Sequence, residues 1–186
     1  MNHLIWQKKS RREIFKTKIF TLDELTSQSP QGETGVYTVM TAPDWVVVVP
    51  VLETVAGRAF VMVRQWRHGA QELSLEFPGG VSERNETAEQ SAERELREET
   101  GYRPGTLRKL GVMSPNPAIM ANRVHFFLAQ DLQNLGRQEL DADEYVDREL
   151  IPVEQAIHTM GQAPYIHALM ASALLLYLQT EKALIP

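Results

Sequence analysis

Cysteine is absent altogether, which excludes disulfides, thiolate nucleophiles and zinc–thiolate sites in one step. Long apolar runs are absent too. The longest, Trp45–Leu52 and Ala168–Leu178, fall short of the ~20 residues a bilayer-spanning helix requires. Met1–Arg12 mixes polar and basic residues without an apolar h-region, so no secretory leader is expected. Positive charge is in deficit: 19 Lys and Arg stand against 24 Asp and Glu, for a net charge of −5 and a pI near 5.6. That argues against a protein built to coat nucleic acid or an anionic membrane. There are no internal repeats and no low-complexity tracts. The expectation is a cytoplasmic protein with neither nucleic-acid nor membrane partner. What is present is ordinary globular composition, 186 residues of which 43% are hydrophobic and 23% charged. That suits one domain, or one with a small extension. Such a chain buries roughly 70% of its unfolded surface and needs no metal or disulfide to hold its core.

The first forty residues are polar and broken, with strand-like pieces at Ile14–Thr21 and Gly35–Thr41 around the turn-rich stretch Ser27–Gly35. An arm of this kind buries too little to stand alone. Val46–Glu53, a β-branched run, reads as a buried strand. Phe60–Trp66 follows after a turn at Ala56–Arg58, and a short strand Leu73–Phe77 stops at Pro78-Gly79-Gly80. Thr87–Thr100 reads as a helix. Thr87 and Gln90 form a capping box, Ala88, Ala92 and Leu96 make an apolar stripe, and Gly101 supplies the left-handed terminator. Strands are expected near Thr106–Met113, Val124–Gln130 and Tyr145–Ile151, with a polar loop at Asn134–Glu144. Helices are expected at Val153–Met160 and Tyr165–Lys182, the last apolar on most faces and so buried against the sheet. Mixed strands with one central and one terminal helix indicate an α/β or α+β sandwich.

The unusual segment is Gly79–Tyr102, with seven Glu against three Arg. Within it Glu95, Glu98 and Glu99 share one helical face. They also sit in the last turns before Gly101, near the negative end of the helix dipole. Each should be unfavourable there by about 0.3–1 kcal/mol. A hard divalent cation is a natural compensator, since Mg²⁺ favours a few carboxylates together with substrate phosphates. Glu86, at the helix entry, is a further available carboxylate. The alternative is a solvated charged helix laced by Arg94–Glu98 and Glu93–Arg97 pairs.

The spacing Gly80, five residues, Glu86, seven residues, then Arg94-Glu95-Leu96-Arg97-Glu98-Glu99-Thr100-Gly101 resembles the signature of the Nudix hydrolase family. Tyr102 departs from it, standing where the family usually has an aliphatic residue at a packing position. The resemblance implies a Nudix fold, an α/β/α sandwich around a mixed sheet, here with an N-terminal β extension. It implies cleavage of a nucleoside diphosphate linked to another moiety, with Glu95, Glu98 and Glu99 holding Mg²⁺ or Mn²⁺. Arg94 would orient those carboxylates, and the Gly79 carbonyl would be an extra ligand. The flanks Ala42–Val46, Arg64–Arg67, Leu75–Gly80, Pro117 within Ser114–Arg123, and Asp141–Glu149 resemble the ADP-ribose pyrophosphatase and nucleoside-diphosphate-sugar hydrolase branch.

The side chains agree with such a ligand. Arg67 can clamp phosphate bidentately and Glu76 can accept from sugar hydroxyls. Trp45, Tyr37 and Trp6 are candidate stacking platforms, with Trp45 as readily a core residue. His68, His125, His158 and His167 show no ligand spacing and read as structural or surface residues. The general base is expected at Glu144, with Asp141 and Asp143 as alternatives; a plain solvated acidic turn is the rival. Rival functions are hydrolysis of GDP-mannose or a dinucleotide, and an ADP-ribose-binding module without catalysis. The resemblance also implies an arm, residues 1–41, that crosses to a partner subunit in a homodimer, leaving 42–186 as the hydrolase domain.

Overall fold

The structure, a computed structural model, describes residues 2–181. By contact the chain divides into two compact units: Met1–Asp44 with Met113–Arg123, and Trp45–Val112 with the chain from Val124 onward.

In the first unit, a 3₁₀ turn at Asn2–Leu4 precedes a three-stranded antiparallel sheet of β1 (Gln7–Lys16), β2 (Thr21–Gln28) and β3 (Thr34–Thr41), in that order. Two strand-like pieces were expected here, and the sheet has three strands. The expected strand Ile14–Thr21 is instead the end of β1 and a turn. Within it the Thr17 and Phe20 amides and the Thr17 hydroxyl bond to one another's residues at 2.8–2.9 Å. β1 carries little hydrophobic alternation because every residue of it is exposed. One polar group is nevertheless buried. Asp23, 2% exposed, receives hydrogen bonds from Arg11 and, at 3.0 Å, from the Thr41 hydroxyl, which ties all three strands together. Met40 exchanges backbone bonds with Ile119 and Ala121, which brings the 113–123 segment onto β3.

The second unit is built on a six-stranded mixed sheet. Its strands are β4 (Trp45–Thr54), β5 (Gly57–Arg67), β6 (Glu72–Glu76), β8 (Thr106–Met113), β9 (Val124–Gln130) and β11 (Val146–Pro152). The path runs β11-β5-β4-β9-β8, with β6 beside the second half of β5. β4 and β9 pair in parallel from Trp45–Val124 to Pro50–Ala129. Small strands β7 (Tyr102–Arg103) and β10 (Gln133–Asn134) pair with each other.

Strands buried on both faces read as continuous apolar runs, and β4 and β9 divide their residues accordingly. Val47, Val49, Val51, Val124, Phe126 and Leu128 face α2 (Val153–Thr159) and α3 (Ala168–Leu178). Val46, Val48, Phe127 and Ala129 face α1 (Ala88–Thr100) through Ala92 and Leu96. This is the expected three-layer α/β/α sandwich. Phe60 anchors the larger core, meeting Phe77 and Tyr177 edge-to-face at 5.1 and 5.0 Å. Each such pair contributes about 0.5–1.5 kcal/mol beyond its buried area. α3 starts three residues later than the sequence suggests, because Tyr165 and Pro164 are engaged in backbone bonds with Gln162 and Leu75. Its expected end at Lys182 lies outside the described residues. No helix among those residues is long and apolar enough to cross a membrane.

Candidate active site on the helix after Pro78-Gly79-Gly80

α1 is specified at both ends. The Thr87 hydroxyl accepts from the Gln90 amide at 3.2 Å and the Gln90 side chain accepts from the Thr87 amide at 2.9 Å, closing the capping box. Gly101 ends it at φ 69°, the left-handed region where glycine is unstrained. The segment entering the helix runs against β4, with Pro78 and Gly80 carbonyls accepting from Val48 and Val46, each at 2.9 Å. Both glycines are required by close approach. A β-carbon on Gly79 would lie 2.1 Å from the Val46 carbonyl oxygen, and one on Gly80 would lie 2.5 Å from Glu95 Oε1. The helix carboxylates therefore reach the loop only because no side chain intervenes.

Arg94 is the hub of the acidic face. Its Nε and Nη2 donate to Glu86 at 2.9 and 3.0 Å, and Nη1 donates to Glu95 at 2.9 Å and to Glu98 at 3.1 Å. Nη2 also reaches the Val81 carbonyl at 3.1 Å. The guanidinium, with a bond from Ser91, holds Glu86 at a pKa of about 2. Glu95 and Glu99 move the other way. Both are buried, Glu99 to 4% exposure, and burial raises both carboxyls. Glu99 reaches about 8: burial, Glu95 and Glu144 outweigh the 2.9 Å hydrogen bond from the Gly79 amide and the positive charge of Arg67.

Glu76, expected to accept from a sugar hydroxyl, has a carboxylate that is 1% exposed. Arg67 grips it bidentately, Nε to Oε1 at 2.7 Å and Nη2 to Oε2 at 2.6 Å, and His167 Nδ1 lies 2.8 Å from Oε2. Burial alone would raise this carboxyl, but Arg67 and His167 outweigh it and hold it at about 2. Glu76 thus fixes the Arg67 fork from behind. His167, read from sequence as structural or surface, is the third member of this chain. Only its place at the N-cap of α3 hinted at it, and its partner lies ninety-one residues away.

Trp45 is half-buried and packs against the larger core cluster. Glu144 is exposed in a tight turn in which its carboxylate accepts from the Asp141 amide at 3.2 Å and its own amide donates to Asp141 at 3.0 Å. Its charge is nevertheless felt by both Glu95 and Glu99. Pro117 is exposed on the segment that belongs with the first unit, and there Trp6 and Tyr37 meet edge-to-face at 5.5 Å.

The donors suit a hard divalent cation, since all are carboxylate oxygens. Burial first, and then Glu95 and Glu144, hold the Glu99 carboxyl near 8, so it keeps its proton until a cation bound beside it favours the carboxylate. Among the described residues no three His, Asp or Glu side chains are already gathered as a cage. Arg94 occupies the facing oxygens of Glu95 and Glu98.

The site is thus a row of helix carboxylates beside a glycine-lined loop and an arginine fork on a three-layer sandwich. Residues 43–170 match the NUDIX domain. Over 176 residues the chain is 32% identical to the ADP-ribose pyrophosphatase of Bacillus subtilis (strain 168), covering 94% of this chain and 93% of that one. It is 27% identical to the methanol dehydrogenase activator of Bacillus methanolicus over 92% of this chain and 91% of that one. A crystal structure of an ADP compounds hydrolase shares the fold, with a TM-score of 0.82 over 96% of this chain and 95% of that chain at 22% identity. The chain belongs to the Nudix family and is one of its pyrophosphohydrolases, a family that generally works with a divalent metal.

Proposed function

We propose that the protein hydrolyses the pyrophosphate bond of ADP-ribose or a closely related nucleoside diphosphate sugar, releasing a nucleoside monophosphate and a sugar phosphate. The observation that carries this reading is the pair of buried carboxylates Glu95 and Glu99 set against the Gly79–Gly80 loop, with the Arg67 charge near enough to act on Glu99. The carboxylates can take a cation and the arginine an anion. Glu95, Glu98 and Glu99 would hold the metal, which we take to be Mg²⁺ with Mn²⁺ as a substitute, and the Gly79 carbonyl is available as a further oxygen. Bound there, the cation would neutralise phosphoryl charge and acidify the attacking water.

The rest falls to the chain's own side chains. Arg67, held by Glu76, whose carboxylate His167 also contacts, presents its outer N–H groups to a phosphate oxygen. Arg94 holds Glu95 and Glu98 in register. Glu144, exposed and close enough to perturb Glu95 and Glu99, accepts the proton of the attacking water. Glu98, less buried than its neighbours and shared with Arg94 and Arg97, is the carboxylate best able to exchange partners during turnover. Trp45 is offered as a wall of the substrate site. The Bacillus subtilis relative, similar along nearly its whole length, supports the choice of substrate. On this reading the protein is a cytoplasmic homodimer. Incubation with ADP-ribose, GDP-mannose and a dinucleotide, with Mg²⁺ and product identification by mass spectrometry, tests it. AMP and ribose 5-phosphate should dominate, and absence of ADP-ribose cleavage beside rapid turnover of another substrate would overturn it.

A further inference from the structure

An α-helix leaves its last carbonyls without partners inside the helix, and α1 ends in negative side chains as well. Every one of these carbonyls is nevertheless satisfied. Arg97 O accepts from the Gly101 amide at 2.8 Å, Glu98 O from the Glu139 amide at 2.8 Å, and Glu99 O from Gln138 Nε2 at 2.6 Å. Thr100 O accepts from the Arg148 guanidinium, which also lies 5.1 Å from the centre of the Tyr102 ring. Gly101 O accepts from the Leu135 amide at 2.8 Å. Apart from the helix's own cap, all the donors come from the stretch 135–148, the stretch that carries the Asp141–Glu144 turn. The approach is close: a β-carbon on Gly101 would lie 2.6 Å from the Arg137 carbonyl oxygen.

Gln138 is the one side chain in this strap that touches both parts of the site. Its Nε2 carries two hydrogens. One goes to the Glu99 carbonyl and the other to the Val146 carbonyl at 3.1 Å, two residues beyond Glu144. We infer that Gln138 is a positioning residue that fixes the backbone of the Glu99 carboxylate and the foot of the Glu144 turn in one register. Only a group with two donors on one atom can bridge two carbonyls in this way. Leucine has the volume but no donor, and glutamate would set a negative acceptor against both carbonyls. The reading rests on the pyrophosphohydrolase site described above, and the test separates the two.

Wild-type chain, Gln138→Leu and Gln138→Asn are compared, the last retaining the amide on a shorter stem. Mn²⁺ binding to the protein without substrate is read by electron paramagnetic resonance, with kcat, KM and melting temperature measured in parallel. For Gln138→Leu, Mn²⁺ affinity and kcat should each fall about tenfold, in the range typical when a group behind a metal ligand is lost, with KM within twofold and folding retained. Gln138→Asn should fall about threefold, and it carries the test alone should the leucine variant not fold. Unchanged Mn²⁺ affinity and kcat in a folded variant would overturn the inference, as would a lower melting temperature with both constants intact. A wild-type chain that binds no Mn²⁺ would overturn it together with the metal site. Failure on ADP-ribose alone would count against the substrate and leave the Mn²⁺ comparison decisive for Gln138.

Discussion

A carboxyl group that keeps its proton almost to pH 8 makes the free protein pay for alkalinity. Glu99 reaches that value in the fold because it is buried beside Glu95 and Glu144, with Arg67 and the Gly79 amide only partly offsetting them. In the unfolded chain it titrates near 4.5. Between those values the folded state binds a proton that the unfolded state has released. This contribution to stability is therefore complete below about pH 4.5 and is lost as pH rises towards 8. Glu76 and Glu86, held at about 2, act with the opposite sign, adding stability above 4.5 that disappears as pH falls towards 2. The melting temperature of chelated protein should drop between pH 5 and 8, and Glu99→Gln should flatten that slope; parallel slopes would refute the assignment. The same substitution should lower turnover by more than the roughly 10–100-fold expected for loss of a group behind a ligand. It should leave the metal-free fold intact, since the buried Glu99 carboxyl that it replaces is already protonated and uncharged below about pH 8. That Glu95, Glu98 and Glu99 share one helical face was legible from their spacing, while the role of Arg94 rested on the resemblance to the Nudix signature. The partners of Glu76 and of the Glu99 backbone were not legible. His167 and Gln138 are brought there by strand and helix placement, which no local pattern encodes.

At the scale of elements, α1 carries its stop and start signals in its own sequence, and these were read to the residue. Breaking the cap by Thr87→Ala should cost about 1 kcal/mol, a fall of roughly 2–4 °C in melting temperature for a chain of this size. Thermal unfolding checks this, and an unchanged midpoint would mean the capping box contributes nothing measurable. β4, β5 and β9 were also legible, since each carries a buried apolar run. β1 was not. Its ten residues are exposed throughout, and a strand without a buried face has no alternation to read. The late start of α3 has a similar cause, because the apolar character of Tyr165 and Ile166 serves a turn as well as a helix.

At the scale of the whole molecule, the fully exposed β1, with Ile14 47% and Phe15 59% exposed, supports the expectation that the arm meets a second copy. Full-length protein should sediment as a dimer at micromolar concentration. Removal of the first forty residues should yield a monomer with raised KM and unchanged Mn²⁺ affinity. A full-length monomer of undiminished activity would refute this. The parallel pairing of β4 with β9 reaches further, into the time course of folding. Trp45 finds Val124 only after the intervening chain, α1 included, has been gathered, and non-local pairings of this kind fold slowly. A thirteen-residue helix is marginal by itself in water, so the carboxylate row is in place only once that pairing has formed. Added divalent cation should then slow unfolding while leaving the refolding rate unchanged, the behaviour of contacts formed after the transition state, and stopped-flow fluorescence in both directions would show it.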